Sequence, residues 1–199
     1  ISQPTHLRFA ESIATPDSGA DYLVIAPHAF ITSLSNLVNL RQAQGLKVAV
    51  VDVQAIYDQF GDSRPDPEAI REFLAYAYFN WVKPPVYVLL VGDGTSDPKQ
   101  YITSSSQTFI PPFLADVDPW AGETAADNLF VTVDGDDPLP DMLIGRLPAN
   151  TAGEVQAMVD KIVGYEQNPI PGEWKTQAGY IADNADTAGN FPVLSDGLI

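Results

Sequence analysis

The sequence predicts an α/β fold: a three-layer arrangement with a mostly parallel sheet, helices on both faces and a β-hairpin insertion. Three observations carry that prediction. Short apolar runs of strand length alternate with longer stretches of helical period, and at least the first run is apolar throughout, as in strands buried on both faces. Residues that cap helices or accept positive φ fall at the joints. The chain has 199 residues with 45% hydrophobic content, enough to bury roughly 70% of the surface it exposes when unfolded.

Each element has a local reason. Residues 1–20 carry Pro and Gly breaks without sustained periodicity and read as an entry segment. Tyr22–Ala26 is the first strand. Thr32 or Ser33 can cap a helix whose Leu34, Leu37 and Val38 share one face, with Gly45 placed to end it in a left-handed conformation. Residues 47–53 form the next strand. Asp66 and Pro67 open a second helix as N-cap and first-turn residue, with Ile70, Phe73, Leu74, Ala77, Tyr78 and Trp81 on its buried stripe. Residues 86–91 are the third strand.

Residues 127–148, DNLFVTVDGDDPLPDMLIGRLP, read as a strand, an acidic turn and a second strand ending in Arg146. They predict a hairpin across residues 129–146, as an insertion or an antiparallel edge. Thr151 and Glu154 form a capping box for a helix that turns Val155, Met158, Val159, Ile162 and Val163 inward. Residues 178–182 are a last strand. The alternation implies right-handed crossovers, and ligands in such sheets gather beyond the carboxyl ends of the strands. That rule selects Pro27, His28, Asp52, Gly92, Asp93, Gly94, Asp183, Asn184 and Asp186, an acidic rim.

Composition narrows the function. There are 26 acidic against 10 basic residues, a formal charge of −16, so the surface repels phosphate backbones and argues against nucleic-acid binding. No apolar run reaches the length of a membrane span. There is no cysteine, which removes disulfides, thiolate metal sites and a cysteine nucleophile from these residues.

The order of motifs resembles the gingipain-like cysteine peptidases, whose catalytic domains have a caspase-like fold. The residues that carry the resemblance are Asp127, Asn128, Phe130, Asp134, Gly135 and Asp136, then Pro140, Asp141, Ile144, Gly145 and Arg146, then Tyr165 and Glu166. YLVIAPHAF, PVYVLLVGDGTSDP and AGYIADNADTAGNF flank them, so the likeness extends from Asp21 onward. The resemblance implies a cysteine endopeptidase acting on polypeptides, at the cell surface or outside the cell, with no required cofactor. It implies that the nucleophilic Cys and a base His in a His-Gly pair come from the later half of the domain.

Here the two histidines are His6, before Leu7, and His28, before Ala29. With Ile1 at one end and a helix-like SDGLI at the other, the expectation is a fragment truncated before the second catalytic half. It would be inactive alone and completed by the remaining half of its own catalytic domain. The expected organisation is an entry segment at 1–20, a first α/β subdomain at 21–169 and an incomplete second subdomain at 170–199.

The resemblance suggests Asp186, and next Asp183, as the acid that orients the catalytic imidazole. An Asx-turn after a strand competes with that role. Asp134, Asp136, Asp137 and Asp141 could hold a structural calcium through closely spaced carboxylates. The competing reading is a solvated turn with Gly135 at positive φ and Asp residues capping amides. Asp116, Asp118 and Glu123 around Trp120 have the same two readings. Arg146 ends an apolar strand and requires a carboxylate partner, Asp127 or Asp141. His28 reads as a packing or capping residue, and Gly92–Gly94 as a tight turn. Two alternatives stand beside the peptidase reading. One is a noncatalytic caspase-like module used in binding or assembly. The other is a phosphoryl-accepting domain using Asp52 or Asp93, which lacks a lysine partner.

Overall fold

A computed structural model describes residues 13, 19–95, 97, 101, 107–118, 122–185, 187 and 189–197. The chain divides into two compact units, residues 1–164 and residues 165–199. The first unit is built on a four-stranded parallel sheet. Its strands are β1 (Tyr22–Ala26), β2 (Val48–Asp52), β3 (Tyr87–Val91) and β6 (Leu143–Leu147), in the order β2-β1-β3-β6. β1 pairs in register with both neighbours, and its residues 23–26 are buried, as the uninterrupted apolar run requires.

Helices cover both faces. On one side Leu23, Ile25, Val51, Val88 and Leu90 pack under α3 (Val53–Phe60) and α4 (Pro67–Asn80), joined by Ile110, Phe130, Val131 and Met142. On the other, Val24, Ala26, Leu89 and Val91 meet α1 (His28–Ile31), α2 (Ser35–Ala43) and α5 (Ala152–Gln167).

Several boundaries follow the local chemistry expected of them. Asp66 accepts the Glu68 N–H at 2.9 Å, with Pro67 in the first turn of α4. Asp66→Ala should cost about 1 kcal/mol, read as a lower urea midpoint with an unchanged slope. Gly45 has φ +88°, its N–H donates to the Gln42 carbonyl and that of Leu46 to Arg41, the double bond that closes a helix at a left-handed residue. Thr151 caps α5 by accepting the Glu154 N–H at 3.2 Å, while the Glu154 carboxylate reaches one residue further back, to the Asn150 N–H at 2.7 Å.

Other expectations are corrected. Neither Thr32 nor Ser33 begins the first helix: the chain turns helical at His28, directly after Pro27, and passes through a 3₁₀ turn before α2. Residue 53 leaves the strand and starts α3, an element with no counterpart in the sequence reading. Asp52 caps it by accepting the Gln54 N–H at 3.0 Å, and Val53, Ile56 and Tyr57 bury one face.

The hairpin lies elsewhere than expected. The antiparallel pair is β4 (Leu114–Asp118) with β5 (Gly122–Ala125), while β6 joins the main sheet in parallel. Residues 127–130 form a 3₁₀ turn, and the neighbours Phe130 and Val131 are both buried in the same cluster, which strand alternation does not allow. The Asp141 carboxylate takes the N–H groups of Val133 and Asp134, at 2.7 and 2.9 Å, that a ladder would need.

The second unit comprises the end of α5, a 3₁₀ turn (Glu173–Thr176) and α6 (Phe191–Asp196). Residues 178–182 form no strand, because among the described residues they have no ladder partner. Ile181 is 99% exposed. The Tyr165 and Trp174 rings meet at a tilt within this unit, centroids 6.1 Å apart.

Asp21 ties the amino ends of three strands together. Its carboxylate accepts the Lys47 N–H at 2.7 Å and meets the Lys83 ammonium at 2.6 Å. The Lys83 hydrogen bond first, and the Lys47 amide second, hold its pKa below the ordinary carboxylate value. A depressed carboxylate pKa adds stability above the unfolded-state value and loses it as pH falls through the folded one. Asp21→Asn should therefore flatten the acid limb of a melting-temperature profile below about pH 4 and leave its neutral region sloping as before.

Candidate functional site

The carboxyl ends of the four strands form one edge of the first unit. β1 connects to β2 on one side while β3 lies on the other, so the chain direction switches between β1 and β3, where ligands of open α/β sheets bind. Pro27 and His28 stand beyond β1, Gly92–Gly94 beyond β3, with Asp52 ending β2 and Pro148–Asn150 following β6.

Arg146 organises this edge. Its side chain is 14% exposed and forms a fork with Asp127, Nε to Oδ2 at 2.7 Å and Nη2 to Oδ1 at 2.8 Å. Nη1 donates to the carbonyls of Gly92 and Ile110, both at 2.9 Å. One planar guanidinium thus pins the end of β3, residue 110 and the 3₁₀ turn that starts at Asp127, a task for which a lysine has the wrong geometry. The carboxylate anticipated from sequence is Asp127. Asp141 serves the backbone instead.

Beneath the fork, Tyr57 is 2% exposed and its hydroxyl has no hydrogen-bond partner among the described residues. Burial pushes its phenol well above the ordinary value, the Arg146 charge pulls the other way, and Asp66 adds to the rise. The rise favours the neutral phenol.

The Gly92–Gly94 turn is fixed by sterics and by its own aspartate. Gly92 has φ +131°, and a Cβ there would stand 2.8 Å from the Cβ of Phe109. The Asp93 N–H donates to the Ala149 carbonyl at 3.0 Å, and its carboxylate accepts the Gly94 N–H at 2.9 Å and the Asn150 amide at 3.2 Å. Asn150 was not anticipated; its place just ahead of the α5 cap was the signal available. These are the contacts of a tight turn rather than a phosphate cradle, since the Asp93 carboxylate occupies the amide of Gly94.

His28 Nδ1 lies 3.5 Å from Asp52 Oδ2, with the imidazole 77% exposed. Asp52 also caps α3. Among the described residues this rim brings no hydroxyl or thiol nucleophile to the imidazole in a bonded pair.

The remaining predicted residues are dispersed. Asp183 belongs to the second unit, is exposed, and takes its neighbour's Asn184 N–H at 2.8 Å, an arrangement local to the chain. Asp186 lies outside the described residues. Asp137 accepts the Leu139 N–H at 2.8 Å, Asp134 and Asp136 are exposed, and Gly135 has φ +76°. Among the described residues no group of three or more His, Asp or Glu side chains is placed to hold a metal ion. Asp116 and Glu123 face solvent on the hairpin. No described helix is long and apolar enough to cross a membrane.

Residues 15–198 match peptidase family C25. Among solved structures the chain is similar to dimeric latent PorU from Porphyromonas gingivalis, with a TM-score of 0.64 at 24% identity over 83% of this chain. It is similar to the complex of pro- and mature domains of RgpB from the same organism, with a TM-score of 0.55 at 21% identity over 72% of this chain. A third structure, of the Arg-specific cysteine proteinase gingipain R, gives 0.55 at 18% identity over 80%. The chain spans 17% of the PorU chain, 28% of the RgpB complex chain and 30% of the gingipain R chain. No curated protein matches the chain significantly. At these identities the structural likeness establishes the fold alone.

Proposed function

Because the chain belongs to peptidase family C25, we propose that it forms the first α/β part of the catalytic domain of a cysteine endopeptidase, with the thiolate and the base histidine supplied by residues other than these. The family match across residues 15–198 supports this reading, and since the chain contains no cysteine, the reading puts the nucleophile outside it. The substrate is a polypeptide. In the reaction a thiolate adds to the peptide carbonyl, the imidazolium protonates the leaving amine, and water drawn by the imidazole hydrolyses the acyl-enzyme. The 199 residues supply the frame beside that chemistry and are inactive alone. Asp186, and after it Asp183, is our choice for the acid that orients the imidazole. We place the protein at the cell surface or outside the cell, the setting that the family match suggests.

The reading is tested by assaying a quenched polypeptide substrate with the full-length protein and with the 199-residue chain. Thiol-blockable hydrolysis by the first and none by the second is expected. Hydrolysis by the isolated chain would overturn the assignment of the nucleophile. Its absence from both would favour a noncatalytic module that keeps the fold for binding.

A further inference from the structure

The second unit carries an apolar groove of its own. A recess of about 650 Å³ lies between residues 179–183 and α6, with Tyr180, Ile181, Asp183, Phe191 and Leu194 among its walls. The four apolar side chains in that set are all exposed, Ile181 almost wholly. None of the described residues in 165–197 is buried. A stretch shorter than about 40 residues rarely holds a fold without outside support even when it packs a core, so this surface requires a cover. Residues 179–182 also have backbone groups without a ladder partner among the described residues, an open edge of the kind that takes a further extended segment.

The chemistry of the walls chooses among occupants. Their one charge is the Asp183 carboxylate, whose Oδ1 accepts the Asn184 N–H and whose Oδ2 has no bond among the described residues. A second copy of this chain, with 26 acidic against 10 basic residues, would bring like charge to that carboxylate. An apolar segment carrying an imidazole matches both the walls and the charge. Under the peptidase reading, on which this inference rests, the acid that orients the base histidine is Asp183 or Asp186, three residues further on. An orienting acid lies within about 3 Å of its imidazole. The part of the catalytic domain that bears the histidine must then come against this same segment, where the apolar walls are.

We propose that the groove between residues 179–183 and α6 is the docking surface for the part of the catalytic domain that bears the base histidine. An extended apolar segment packs on Tyr180, Ile181, Phe191 and Leu194, with its imidazole at the Asp183 end.

The test places p-benzoylphenylalanine at Tyr180 in the full-length protein, irradiates it and maps the new bond by mass spectrometry. The expected bond lies within one polypeptide and joins Tyr180 to a segment outside residues 1–199 that contains a histidine needed for hydrolysis. Leu194→Asp should cut its yield about tenfold, because the cover would have to desolvate a carboxylate. If the probe at Tyr180 disturbs folding, the same probe at Phe191, on the other wall, should reach the same segment. A bond to residues 1–199, a bond to a second copy, or no bond from either position would overturn the proposal. The same protein is assayed for thiol-blockable hydrolysis. Hydrolysis without the expected bond removes the docking surface and leaves the peptidase reading standing, whereas no hydrolysis removes that reading and this inference with it.

Discussion

Arg146→Ala should lower the stability of the first unit by about 3 kcal/mol, the largest effect expected of any single side chain at the rim. The change does more than delete an ion pair. It strands the Asp127 carboxylate, which is 27% exposed, and leaves the carbonyls of Gly92 and Ile110 without their donor. Fully buried pairs cost more when broken, and the partial exposure of both partners places this one at the lower end of that range. For a unit of this size, the melting temperature should drop by about 6–12 °C. Arg146→Lys keeps the charge but lacks the planar fork, so it should recover less than half of the loss. Asp127→Ala should be milder than Arg146→Ala, since the two carbonyl bonds survive and water reaches the site. A cycle in which the double variant Arg146→Ala, Asp127→Ala is no worse than Arg146→Ala alone would show that the two act as one unit.

Gly94→Ala should cost about 3 kcal/mol, and Gly92→Ala a comparable amount, by a mechanism unrelated to charge. A Cβ on Gly94 would lie 2.5 Å from the Ile110 carbonyl oxygen and 2.8 Å from Pro112 Cδ, neither the movable end of a flexible side chain. Relief requires the turn to separate from Ile110 and Pro112, and Arg146 holds the Ile110 carbonyl in place. At Gly92 a side chain meets both Phe109 and a φ of +131°. Gly45 is the control. Its φ is +88°, with nothing within 4 Å of an added Cβ, so Gly45→Ala should cost only about 1 kcal/mol. Chemical denaturation of the three alanine variants separates steric exclusion from backbone conformation: equal losses at Gly45 and Gly94 would refute the packing account of the turn.

What the sequence revealed depended on whether a signal was local. Tyr22–Ala26 was legible to the residue because five successive apolar side chains admit little but a strand buried on both faces. Asp66–Pro67, Gly45 and Thr151 were legible because caps are chosen by the backbone groups beside them. The Arg146 partner was legible as one of two aspartates, since an unpaired guanidinium at a strand end is too costly to keep. Choosing between Asp127 and Asp141 required the fold, which turns Asp141 back onto the amides of Val133 and Asp134. That same capture explains the misplaced hairpin: an apolar stretch such as residues 129–133 looks like a strand until its N–H groups are seen to be taken. Strand pairing itself is a long-range fact. Nothing within residues 143–147 says that β6 lies parallel to β3 or that residues 178–182 would go unpaired. α3 was missed because eight residues between a strand and a strong helix cap carry too few turns for their period to stand out.

Of the candidate site, the strand-end rule picked out His28, Asp52 and Asp93, and the fold does gather these at one edge of the parallel sheet. The acidic turn behaved differently. Asp137 and Asp141 are engaged by backbone amides, the use that short carboxylates find most often in turns.

The central claim is that these residues frame the active site of a cysteine endopeptidase whose nucleophile lies outside them. The most direct measurement is to treat the full-length protein with a thiol-directed peptidyl electrophile and locate the adduct by mass spectrometry. We expect one cysteine outside residues 1–199 to be labelled, with Asp186→Asn slowing the reaction and shifting its pH dependence while the melting temperature stays unchanged. A full-length protein in which no cysteine reacts would contradict the account.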